Sequence, residues 1–335
     1  MLLPPTKSGF PKAIYLDQNI LSALAKSYYS GLKDAVCKSA YDAIIVTIKE
    51  NKAIYPLSFV HLEEIQKIQC FERRVRLARF FIWISRGVSI LNTMTIQKYE
   101  IINAVRKKIR KSEILPFDND IRGVNIREYL LFPGLLYVLG LWDLEGVPED
   151  LYPDVYKELV KPKTSLWLLT KPVKNDMVDL SEGAKEIEKR GKEALANRIS
   201  KATWIKHEVF GFFRLDSHSH IICNELKELS IPIEVFFALF KSGHDYIAFF
   251  EDVPTYSSTC YLYIEHHKNV GGTTTINDMN DVHFLSEVIP YFNGIVMERH
   301  WAAMAKQAGL DKKYDTEVIS KINDIPALLG RLGCL

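Results

Sequence analysis

Asp278 and Asp281 stand three residues apart at the head of an apolar-periodic run in the stretch INDMNDVHFLSEVIPYFNGIVMERHW, residues 276–301. At helical spacing, positions i and i+3 share a face, so both carboxylates can point the same way from a helix N-terminus. Asn277 or Asp278 can also cap that helix. The short apolar run Gly294–Met297 reads as a strand and ends directly in Glu298, Arg299 and His300. In an open α/β sheet, chemistry collects just beyond the carboxyl ends of strands, where Glu298 can meet the two aspartates. Three convergent carboxylates repel one another unless a hard divalent cation neutralises them, so the chemistry on offer is a Mg²⁺ or Mn²⁺ site. The plainer alternative is a cap at Asp278, with Asp281 and Glu298 in solvent.

The N-terminus supplies matching pieces. Residues 13–16, Ala-Ile-Tyr-Leu, form an apolar strand that ends in Asp17, Gln18 and Asn19, and a helical pattern (Ile20, Leu21, Leu24, Ala25) follows at once. Asp17 therefore sits at the carboxyl edge of a strand, either as a helix cap or as a metal-binding acid. Residues 53–57 are strand-like, and Ser58 can cap the helix that carries Glu63 and Glu64. Those two glutamates lie on different faces, so one can face a cleft while the other faces water.

In order, element type and spacing, this pattern resembles the PIN-domain nucleases. In that family an Asp ends the first strand, and a Ser opens a helix with a Glu six residues on. One or two Asp start a later helix, and a last acid follows the next strand. The matching positions are Asp17, Ser58 with Glu64, Asp278 and Asp281, and Glu298, over about residues 12–90 and 260–335. The chain departs from the pattern at Asn293, where many members have Asp, at Glu298, where many have Asp, and in a long insertion.

The resemblance implies a PIN-like α/β fold, a parallel sheet flanked by helices, with a large, mostly helical insertion. Its halves would be residues 12–91 and 259–335, with the insertion or cap at 92–258. It implies a metal-dependent endoribonuclease acting on single-stranded RNA. Asp17, Glu64, Asp278, Asp281 and Glu298 would hold one or two Mg²⁺ or Mn²⁺ ions, the first four being catalytic. Gln18, Asn19, Ser58 and Arg299 would contact substrate. Gln18 and Asn19 would orient water or a phosphate oxygen, or cap a helix; Arg299 would bind the backbone, or be a surface cation. Two alternatives stand beside it: a catalytically degenerate scaffold for RNA or protein, and a DNA-directed nuclease. A homodimer or a regulatory protein partner is compatible with each.

Composition bounds these readings. The chain has 335 residues, 47% hydrophobic and 25% charged, with a net charge of +2, so any nucleic-acid binding must come from local basic patches. Five scattered cysteines, without a CxxC pair, argue against zinc fingers and a disulfide framework. No long apolar segment reads as a leader or a membrane span, and the expectation is a cytoplasmic protein. Two basic stretches stand out. Residues 68–86 read as a helix carrying Arg73, Arg74, Arg76 and Arg79. A second helix ends in Arg106-Lys107-Lys108-Ile109-Arg110-Lys111, a run that suits phosphates or complements the helix dipole.

In the middle region, the pattern predicts a buried helix over 128–145, a linker over 151–175 and a long helix over 181–214. Further apolar burial is expected over 231–250, and a strand over 259–264. His218 and His220 would share one side if that segment were extended.

Overall fold

A computed structural model describes residues 11–91, 93–112, 131–133, 161–170, 181–271 and 273–335. The chain divides into two compact units. The first is bounded as Met1–Asn92, Arg127–Val178 and Tyr291–Leu335, the second as Thr93–Ile126 and Asp179–Pro290. The strands are β1 (Lys12–Leu16), β2 (Ala53–Ile54), β3 (Val88–Ile90), β4 (Leu131–Pro133), β5 (Gly294–Val296) and β6 (Glu317–Ile319). The helices, in chain order, begin with α1 (Gln18–Tyr29), α2 (Ala35–Lys49), α3 (Phe59–Gln66), α4 (Phe71–Ser85) and α5 (Thr93–Lys111). There follow α6 (Pro162–Thr170), α7 (Ser181–Ala196), α8 (Lys201–Arg214), α9 (Asp216–Glu228), α10 (Ile233–Phe237) and α11 (Gly243–Glu251). The last are α12 (Pro254–Val270), α13 (Ile276–Val288), α14 (Arg299–Gln307), α15 (Leu310–Tyr314) and α16 (Ile325–Arg331).

All six strands lie in the first unit. β1 is central because its run is apolar without alternation, the pattern of a strand covered on both faces; Ile14, Tyr15 and Leu16 are all buried. Four strands form a parallel sheet in the order β2-β1-β5-β6. The chain just after β2 carries the ladder one step further: the Leu57 N–H donates to Val88 O at 2.9 Å, and the Ile90 N–H to Leu57 O at 2.8 Å. β4 then closes antiparallel on β3.

Parallel neighbours need helical crossovers, supplied by α1 and α2 between β1 and β2 and by α14 and α15 between β5 and β6. Leu24, Ile44, Ile65, Phe81 and Leu328 from the surrounding helices pack into one apolar core with Leu16 and Val296 of the sheet. β2 lies on one side of β1 and β5 on the other, so the strand order reverses between β1 and β5. That reversal is the switch point at which an α/β sheet opens a crevice at its carboxyl edge.

The second unit is helical in its described residues, with a core rich in aromatic rings (Phe212, Phe236, Phe249, Phe250). Several expectations need correction here. Residues 259–264 are not a strand but lie inside α12, and residues 259–290 belong to this unit. Pro254 fits the first turn of α12, and Gly271 closes it at φ +67°, start and stop signals that outweigh the β-like composition of TCYLYI. The long helix over 181–214 is broken between α7 and α8, with Ser200 capping α8 through the Thr203 amide. His218 and His220 ride on α9, so period two does not apply. His218 is buried against Phe212, while His220 is exposed.

Within 128–145, residues Leu131–Pro133 are a strand, and within 151–175 α6 is a helix; the rest of both spans lies outside the described residues. Among the described residues, no helix is long and apolar enough to cross a membrane.

Candidate functional site

The register of the central ladder places the acids. Leu16 of β1 pairs with Val296 of β5, and the Asp17 N–H donates to Val296 O at 2.9 Å. Asp17 and Glu298 therefore leave the carboxyl ends of adjacent parallel strands. Each is also the residue before a helix, Asp17 for α1 and Glu298 for α14. The Asp17 carboxylate accepts from the Gln18 N–H at 2.7 Å and from the Glu298 amide. Burial pushes its carboxyl from the ordinary 3.8 up to about 6, and the charges of Glu298 and Glu64 add to the rise against those two amide bonds. An acid that is desolvated and faces two like charges is the arrangement expected where a cation or a proton is to be held.

The other members of the unit divide by role. Glu298 is exposed, and the Asn19 amide donates to its carboxylate, so Asn19 orients Glu298. Glu64 is half-buried on α3 and takes a hydrogen bond from Lys67 Nζ at 3.0 Å, while Glu63 is the more buried of the pair and lies 3.4 Å from the same ammonium. The glutamate whose charge reaches Asp17 is Glu64. Gln18 Nε2 lies 3.5 Å from Ser22 Oγ, and its Oε1 is buried without a hydrogen-bond partner among the described residues. Arg299, in the first turn of α14, is exposed.

Ser58 requires a correction. Its hydroxyl is buried, 1% exposed, and therefore not available to a polymer. It works instead with His61, which the sequence reading passed over. The Ser58 N–H donates to His61 Nδ1 at 3.0 Å, which leaves the ring proton on Nε2 to be donated to Leu16 O at 2.9 Å. Tyr15 Oη lies 3.2 Å from the same nitrogen. His61 is fully buried, and desolvation pulls its pKa down to about 4 against the Leu16 hydrogen bond, so it is neutral. It ties the first turn of α3 to the end of β1, one residue before Asp17. The available signal was a ring three residues after a capping serine, the spacing of a capping box.

Asn293 also has a different place from the one the resemblance implied. Its Oδ1 accepts from the Ala13 N–H at 3.1 Å, and its own N–H donates to Ala13 O at 2.9 Å. It therefore staples the amino ends of β1 and β5, the opposite end of the strands from Asp17, and an acid is not needed there.

Asp278 and Asp281 lie in the second unit, on α13, so the first unit assembles Asp17, Glu64 and Glu298 alone of the five expected acids. Thr275, not Asn277 or Asp278, caps α13. Asp278 completes a capping box, its Oδ2 accepting from the Thr275 N–H at 2.8 Å and hydroxyl at 2.7 Å. Asp281 is half-buried one turn further on.

Three cations of the α5 run are paired within their own unit: Arg106 with Glu225 at 2.7 Å, Lys107 with Asp252 at 2.5 Å and Lys108 with Asp245 at 2.6 Å; Arg110 and Lys111 are exposed. Arg74 of α4 is buried and donates to Ile68 O at 2.8 Å.

The donor set around Asp17 suits a small, hard cation. Mg²⁺ is commonly bound by one or two carboxylates, with water and substrate phosphate completing its shell; Asp17, Glu298 and the unpartnered Gln18 Oε1 are oxygen donors of that kind. Among the described residues, no three His, Cys, Asp or Glu side chains group closely enough to hold a metal by themselves. In comparisons with known proteins, the chain matches no family model, no curated protein and no solved structure.

Proposed function

We propose that this chain is a metal-dependent endoribonuclease of PIN-like fold, acting on single-stranded RNA at the carboxyl edge of β1 and β5. The observation that carries the reading is the pairing of Asp17 with Glu298 at the switch point, with the Asp17 carboxyl raised to about 6 by burial and by two neighbouring carboxylates. Asp17 and Glu298 would hold Mg²⁺ or Mn²⁺, Glu64 adding negative charge at longer range. When bound, such an ion lowers the pKa of a coordinated water and offsets charge on phosphate oxygens.

The chain's own groups supply the rest. Asn19 fixes the Glu298 carboxylate, and His61 fixes the backbone at Leu16, so both acids are held before substrate arrives. Glu298 makes no side-chain cap hydrogen bond to α14, and Arg299 stands exposed in the first turn of that helix at the carboxyl edge, where it would bind a phosphate of the substrate.

The test is incubation of labelled single-stranded RNA with Mn²⁺ or EDTA, alongside Asp17→Asn. Cleavage should require both metal and Asp17; metal-independent cleavage, or full activity in the variant, refutes the reading. The engagement of Asp278 by Thr275 favours, as a second reading, a degenerate RNA-binding or protein-interaction scaffold. That reading expects RNA binding without cleavage and no stabilisation by Mn²⁺.

A further inference from the structure

Within the unit that holds the acid pair, α1 and α4 line an open groove of about 650 Å³. Lys26 of α1 and Arg73 and Arg76 of α4 line it, with Glu72 as the one carboxylate among its lining residues. All three cations are exposed, and none makes an ion pair among the described residues. They differ in this from the α5 run, whose Arg106, Lys107 and Lys108 are neutralised, and from Arg74, which is buried. Holding unpaired guanidinium groups together costs Coulomb energy that an anionic ligand would return. Tyr29, 45% exposed, also lines the groove, its hydroxyl donating to Arg76 O at 2.8 Å. That bond holds a ring edge-fixed among the cations, the combination of aromatic face and positive charge that suits single strands.

One face of α1 runs from the groove toward the residue that follows Asp17. Gln18, Ser22 and Lys26 follow at intervals of four, and Gln18 contacts Ser22. At 1.5 Å per residue, Lys26 lies about 12 Å along the helix from Gln18.

We infer that the groove between α1 and α4 is a binding track for the phosphodiester backbone of single-stranded RNA, with Lys26, Arg73 and Arg76 contacting phosphates and Tyr29 offering a stacking face. The inference rests on the nuclease reading for its choice of polymer, and it concerns binding, which can be measured without cleavage.

The experiment is fluorescence anisotropy of the full chain with a labelled single-stranded RNA in EDTA, over a salt series, for three proteins. These are the wild type, Arg73→Gln with Arg76→Gln, and Lys107→Gln as a paired-cation control. Two lost phosphate contacts should flatten the log K against log salt slope by about 1.4 and weaken binding about tenfold at low salt. Lys107→Gln should bind as the wild type does. An unchanged affinity and slope in the double variant overturns the track. So does tighter binding of polyglutamate than of RNA, which would make the groove a seat for an acidic protein segment. The two readings fail separately: Mn²⁺-dependent cleavage with unchanged binding in the double variant removes the track and leaves the nuclease. Groove-dependent binding without any cleavage removes the nuclease and leaves the track.

Discussion

Replacing Asp17 by Asn should make the metal-free protein more stable at neutral pH, and the gain should depend on pH. The folded carboxyl titrates at about 6 against an ordinary 3.8. Between those values the unfolded chain has released the proton while the folded chain keeps it, so stability falls as pH rises through that window. With each unit of pKa worth about 1.36 kcal/mol, the ionised carboxylate costs the folded state about 3 kcal/mol at pH 7.5. At pH 4.5 the cost shrinks to about 1 kcal/mol by the same linkage. Asn keeps an oxygen to accept the Gln18 N–H at the head of α1, so the cap survives in kind.

Urea unfolding in EDTA should therefore show Asp17→Asn ahead of wild type at pH 7.5, with the gap about 2 kcal/mol smaller at pH 4.5. His61 titrates in the opposite sense. Its folded pKa is about 4, so the stability it contributes above pH 6.5 is lost as the pH falls toward 4. That loss is common to both proteins and cancels in the difference. A cation would offset the repulsion that Asn removes, so Mn²⁺ should stabilise the wild type and leave the variant unmoved. A gap independent of pH, or a variant less stable at pH 7.5, would refute the account of a desolvated, repelled Asp17.

Other expectations follow from the same contacts. His61→Ala strips partners from the Leu16 carbonyl and the Ser58 amide inside the core, and should cost about 2–5 kcal/mol in urea unfolding. Asp278→Ala removes the capping box of α13 and should cost about 1 kcal/mol in the same assay. Arg106→Ala leaves the buried Glu225 carboxylate unpaired and should cost about 3 kcal/mol, while RNA anisotropy stays at the wild-type value. Asn19→Ala frees the Glu298 carboxylate and should reduce the Mn²⁺-induced thermal shift, read by differential scanning fluorimetry, without unfolding the apo protein.

The sequence by itself determined the local pieces around the site. The uninterrupted apolar run before Asp17 dictates a strand buried on both faces, and the helical spacing of Ile20, Leu21 and Leu24 dictates that the chain turns into a helix at that acid. The same logic sets Glu298 between β5 and α14. Both follow from a continuous apolar run and a helical period of 3.6 that need no distant partner.

What the sequence left open were quantities fixed by neighbours far along the chain. The ranking of the two basic helices was decided by acids on other elements: Glu225, Asp252 and Asp245 pair with Arg106, Lys107 and Lys108 of α5, and among the described residues no acid forms an ion pair with Arg73 or Arg76. The buried His61 became visible only when α3 packed on the end of β1, because a lone histidine has no periodicity to betray it. Asn293 looked like a lost acid until the register of β1 and β5 put it at the far end of the strands. Asp17 itself carries an ordinary carboxyl in the unfolded chain; only the tertiary structure, by removing water and bringing Glu298 and Glu64 near, raises its pKa and makes it a candidate for chemistry.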